Sequence, residues 1–91
     1  MLYVIAYDIH DDKRRYRVVK ILEGVGDRVQ YSVFEAFLSE SQLKRIQDRL
    51  QSVIDPFIDS VRFYSMGVKY NGRITVVGWG MKPESLEYTL I

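Results

Sequence analysis

The 91 residues predict an α+β sandwich, one sheet covered on one face by two helices, in a single domain spanning residues 1–91. Two observations carry that expectation. Extended stretches rich in β-branched and aromatic residues alternate with two stretches of helical periodicity. The first extended stretch is apolar on both of its faces, so neither can be left in water.

That first stretch is Leu2-Tyr-Val-Ile-Ala-Tyr7. Pleat alternation puts Leu2, Val4 and Ala6 on one side and Tyr3, Ile5 and Tyr7 on the other, with Asp8 following on the Leu2 side at the strand's end. From Asp12 to about Val25 the period changes. Val18, Ile21, Leu22 and Val25 recur at three and four residues, and Lys13, Arg17 and Lys20 form the opposite ridge. Asp11 or Asp12 serves as N-cap, and Gly24 and Gly26 close the other end. The segment Arg28 to Leu38 contains no Gly or Pro and reads as one strand of about ten residues. Ser39 with Gln42 three residues on forms a capping box for a second helix. Its buried stripe is Leu43, Ile46, Leu50 and Val53, and Pro56 ends it. Val61 to Met66 is extended, Asn71-Gly72 is a hairpin turn, and Ile74 to Trp79 returns from it. After Gly80 the chain ends on a short apolar strand, Leu86 to Ile91, which must pair with its own sheet or a partner's.

A chain of this length buries only about 60–65% of the surface its unfolded form exposes, so the core is marginal without a partner. Composition is that of a folded domain, 47% hydrophobic and 13% aromatic. A two-fold dimer packed through the second sheet face would finish the core. The apolar runs are far too short to span a membrane and no charged leader precedes the first strand, which makes the cytoplasm the expected location. Without cysteine, and with His10 as the single histidine, thiolate and multi-histidine metal sites are excluded. A metal would need oxygen ligands, which points to Mg²⁺ or Mn²⁺. Net charge is only +1, yet Lys13, Arg14, Arg15, Arg17 and Lys20 fall close together and Arg28 follows. Such clustering is either a solvated helix face or a footprint for a phosphate backbone.

Taken together, Tyr7-Asp8-Ile9, Asp11-Asp12, the basic helix and Arg28-Val-Gln-Tyr-Ser-Val-Phe34 resemble the small CRISPR-associated nucleases of the Cas-two family. The resemblance covers most of the chain. It implies a ferredoxin-like fold, a homodimer whose sheets face each other, and a C-terminal strand, within residues 78–91, that crosses to the partner. It also implies two strands where the residue pattern reads one, with a break near Tyr31-Ser32.

The same resemblance puts the metal carboxylate at Asp8, where the pattern itself places a charge at the end of a buried strand. A two-fold axis beside it would bring two Asp8 side chains to one ion. Tyr7, Arg15, Arg17, Arg28 and Phe34 match positions that the family associates with nuclease activity. Tyr7 is then expected beside Asp8 in catalysis, and Arg15, Arg17 and Arg28 on phosphate oxygens. Phe34 either stacks on a base or belongs to the core; Ser32 either donates to phosphate or satisfies a bend. Asp11 and Asp12 read as caps, and His10 as incidental rather than a general base.

The expected function is metal-dependent endonucleolytic hydrolysis of RNA, or DNA, in CRISPR spacer acquisition. The alternative is a noncatalytic DNA-binding scaffold that bridges integrase subunits. A third class, an RNA-recognition or small-ligand module on the same fold, lacks the aromatic octapeptide or glycine-rich loop it would need.

Overall fold

A computed structural model of the chain describes residues 1–67, 74–79 and 88–90. The chain runs β1 (Leu2–Asp8), α1 (Asp12–Glu23), β2 (Asp27–Gln30), β3 (Val33–Phe37), α2 (Glu40–Val53), β4 (Ser60–Ser65), β5 (Ile74–Gly78) and β6 (Tyr88–Leu90). One sheet holds the strands in the order β2-β3-β1-β4-β5-β6. The first four strands and two helices have the β-α-β-β-α-β order of a ferredoxin-like unit, with β1 in the middle, antiparallel to both β3 and β4.

Each helix begins where its cap permits. Asp11 has extended backbone and its carboxylate accepts the N–H of Arg14, which satisfies one of α1's unpaired first-turn donors. That bond and the neighbouring Arg14 and Lys13 charges pull the Asp11 carboxyl below its ordinary value, against a weaker opposing effect of desolvation. Ser39 and Gln42 close the expected capping box on α2. α1 stops at Glu23, with Gly24 as C-cap. The last turn of α2 ends at Val53, and Pro56 lies beyond it.

The core lies between the helices and one sheet face. Ile5 and Tyr7 of β1, Phe34 of β3, and Val61 and Phe63 of β4 pack with Val18, Leu22, Ile46 and Leu50 of the helices. Cross-strand partners share a face, so Ile5 opposite Phe34 and Phe63 makes a continuous layer. On the other face Leu2, Val4 and Ala6 are only half buried, and Phe37, opposite Leu2, is 76% exposed.

The segment from Arg28 to Leu38 is not one strand. It breaks at Tyr31-Ser32 into β2 and β3, which pair antiparallel with a register shift between Arg28 and Gln30. The cause is tertiary: the Tyr7 hydroxyl donates to the Tyr31 carbonyl at 2.8 Å and the Tyr7 N–H donates to the Ser32 carbonyl at 3.0 Å. The second bond extends the β1–β3 ladder to Ser32, and the first fixes the Tyr31 carbonyl at the turn. At the far edge, β6 pairs in parallel with its own β5, Ile74 opposite Tyr88. The Asn71-Gly72 turn lies outside the described residues.

Candidate functional site at the end of the central strand

β1 delivers adjacent residues to opposite sides of the sheet. Tyr7 turns into the core and is almost fully buried, while Asp8 turns to the uncovered face, its side chain 76% exposed. Where the strand ends, Tyr7, Asp8, Ile9, Arg15, Tyr31 and Ser32 line a recess of about 320 Å³. Four of the seven residues expected from the sequence, Tyr7, Asp8, Arg15 and Ser32, therefore meet in one place.

Arg15 reaches the recess from the first turn of α1. Its guanidinium is held from two sides, donating to the Ile9 carbonyl at 2.7 Å and to the Asp12 carboxylate. About a third of the side chain remains exposed. Arg28 joins from the edge strand: its Nη2 donates to the Tyr7 hydroxyl at 2.8 Å, and the guanidinium sits 5.6 Å from the centre of the Phe34 ring and 5.8 Å from that of Tyr31. The Tyr7 hydroxyl is thus both donor and acceptor, and it links β1 to the β2–β3 turn.

Two of the expected residues are placed elsewhere. Phe34 is 1% exposed in the core, with its ring 6.2 Å from that of Tyr7, so no face is open to a base. Arg17 projects from the other side of α1, beside Tyr16, Lys20, Ile21, Arg49 and Val53 in a groove between the helices.

The sequence reading missed three contributors. Tyr31 supplies both a carbonyl and a ring to the recess. Arg14, one more cation of the basic run, turns inward to a buried carboxylate, Asp59, with Nε donating to Oδ2 at 2.7 Å. Asp59 also accepts the N–H of His10 and that of Asp55, each at 2.9 Å. Burial pushes its carboxyl up, but the Arg14 guanidinium and those two N–H groups outweigh it and hold the value below normal. No local pattern marks Asp59; its importance comes from what folds around it.

Among the described residues, no three of His, Cys, Asp and Glu stand close enough to hold a metal ion. Asp8 has the His10 imidazole 3.5 Å away, whereas Asp11 is committed to its cap and Asp12 to Arg15. One carboxylate beside one imidazole does not fit a resident Mg²⁺, which demands six ligands, mostly oxygen. The described residues of one chain do not complete such a site.

A ferredoxin-like sandwich with an acid at the open end of its central strand and a guanidinium in the same recess defines a class of small α+β proteins equipped to handle phosphate esters. Residues 1–74 match the family described as CRISPR associated protein Cas2. The chain belongs to that family. It is 46% identical over 82 residues to a Synechocystis protein named CRISPR-associated endoribonuclease Cas2 3, a match covering 90% of this chain and 87% of that one. It is 38% identical over 90 residues to a Thermus thermophilus protein named CRISPR-associated endonuclease Cas2 2, covering 99% and 96%. The crystal structure of Streptococcus pyogenes Cas2 at pH 6.5 superposes with a TM-score of 0.69 at 35% identity, covering 76% of this chain and 89% of that one.

Proposed function

We propose that this protein is a CRISPR-associated nuclease that hydrolyses phosphodiester bonds of RNA, with DNA as a second substrate, during spacer acquisition. Membership of the Cas2 family and the nuclease names of its relatives support this. The observation that carries it is the recess where the exposed Asp8 carboxylate and the Arg15 guanidinium stand at one strand end.

The working unit is a homodimer formed through the uncovered sheet face, in which the C-terminal strand leaves the β5 of its own chain, where it pairs in the single chain, and exchanges onto the partner. Support comes from the half-buried Leu2, Val4 and Ala6 and the exposed Phe37 on that face. Two-fold-related Asp8 carboxylates would hold Mg²⁺ or Mn²⁺. A divalent ion, when bound, supplies charge neutralisation and an activated water. The chain's own groups bind and orient. Arg15 takes a phosphate oxygen, with the Ile9 carbonyl and Asp12 fixing its fork, and Tyr7 holds Arg28 and the Tyr31 turn against the recess. Ser32, at the rim, donates its hydroxyl to phosphate. No helix among the described residues is long and apolar enough to cross a membrane, and we place the protein in the cytoplasm.

The test is cleavage of labelled RNA and DNA by the purified protein with Mg²⁺ or Mn²⁺, beside Asp8→Ala. Loss of cleavage in the variant, with the dimer intact by sedimentation, is the expected result. Undiminished cleavage would overturn the assignment of Asp8.

A second reading, a DNA-binding scaffold that bridges integrase subunits, has its own supporting observation. Arg17, Lys20 and Arg49 gather in the groove between α1 and α2, on the side of α1 away from the recess. Binding of duplex DNA there should survive Asp8→Ala and weaken steeply with salt.

A further inference from the structure

Asp8 is exposed and, among the described residues, the one basic group within 4 Å of its carboxylate is His10, at 3.5 Å, so its placement rests on the backbone beneath it. That backbone enters the three-residue loop 9–11 between β1 and α1. Four bonds hold the loop. The Ile9 carbonyl accepts from the Arg15 side chain, the Asp11 carboxylate and carbonyl accept from the N–H groups of Arg14 and Arg15, and the His10 N–H donates to Oδ1 of Asp59. The first three come from α1 itself. Only the fourth ties the loop to the segment that leads into β4.

We infer that Asp59 is a positioning residue for the proposed hydrolysis, fixing the loop that follows Asp8 through its bonds to His10 and Arg14. The inference rests on the nuclease reading above. Asp59 is 0% exposed and stands immediately before β4, whose first residue, Ser60, lies opposite Asp8. Its two oxygens are met by donors alone: the His10 N–H and, at 3.4 Å, Arg14 Nη2 on Oδ1; Arg14 Nε and the Asp55 N–H on Oδ2. An ionised carboxylate accepts all of these. An amide in its place turns an NH₂ group against an N–H donor on one side, so Asp59→Asn, nearly identical in shape, releases either the His10 loop or the Asp55 turn.

The test uses the full-length protein with Asp59→Asn and Arg14→Gln, and Leu50→Ala as a core variant that lowers Tm without touching this network. Each is assayed on labelled single-stranded RNA with Mg²⁺, well below its own Tm. Asp59→Asn and Arg14→Gln are expected to lose about tenfold or more in kcat while KM stays within about twofold, because the reacting geometry and not the phosphate grip has changed. Amide proton–nitrogen cross-peaks of Asp8, Ile9 and His10 should move in both, and Leu50→Ala should keep the wild-type kcat. The inference is overturned if those cross-peaks stay in place with kcat within about twofold of wild type, or if Leu50→Ala loses as much kcat as they do. Should Asp59→Asn not fold, Arg14→Gln, at a partly exposed residue, decides the matter by the same criteria. A wild-type protein that cleaves nothing would count against the nuclease reading alone, and the cross-peaks would then decide on Asp59.

Discussion

The two faces of the sheet differ in what covers them rather than in what they are made of. On one, Ile5, Phe34 and Phe63 are sealed beneath the helices. On the other, Leu2, Val4 and Ala6 of the same strand are half covered and Phe37 stands out. A strand with two apolar faces needs two covers, and the described residues, with two helices on one side, supply one. The acid proposed for chemistry sits at the end of the uncovered face, where a second copy would meet it. In the proposed dimer, covering the face and completing the site would be one event.

Truncation breaks this comparison most sharply. Phe63→Ala, in the sealed layer, should cost about 3–5 kcal/mol of stability by urea denaturation. Phe37→Ala should change the stability of the isolated chain by no more than about 0.5 kcal/mol and instead raise the dimer Kd by sedimentation. Equal losses at the two positions would mean that the faces are not different in the way described.

Acid should act next, through the sealed side. The Asp59 carboxyl is held below its unfolded value, so its contribution is fully present above the unfolded pKa of about 3.9 and is lost as pH falls through the folded value. Urea midpoints measured between about pH 5 and pH 2 should fall less steeply in Asp59→Asn than in the wild type. Tyr7→Phe comes third. It leaves the Tyr31 carbonyl and Arg28 without the shared hydroxyl, which should cost about 1 kcal/mol and loosen the β2–β3 turn, read by amide exchange near Tyr31. The smallest effect is expected at Arg17→Ala. It should leave stability within about 0.5 kcal/mol and cleavage unchanged, while lowering the salt slope of duplex binding by about 1.

Arg14 and Arg15 show how far the sequence carries. Both belong to one basic run, and composition cannot tell them apart. One turns to buried Asp59 and the other to the recess, because successive helical residues point about 100° apart and only one direction meets the α2–β4 connection. The elements governed by local rules were readable: β1 from its alternation, α1 from Asp11, α2 from the Ser39 capping box. The split at Tyr31-Ser32 was not readable from pattern, since a β-branched and aromatic run without glycine gives no turn signal. Its cause is a hydroxyl 24 residues away. The family resemblance supplied that break where periodicity did not. The recess was legible in the same partial way, with Tyr7, Asp8, Arg15 and Ser32 named and Tyr31 and Asp59 hidden until the chain had folded.

Gly78 has φ +101°, and a Cβ built there would come within 2.1 Å of the Asp59 carbonyl, which in turn accepts the N–H of Trp79 at 2.9 Å. The backbone oxygen of Asp59 therefore secures the outgoing end of β5, while its carboxylate secures His10. One residue thus ties the end of the sheet's β5 to the loop behind the acid at Asp8.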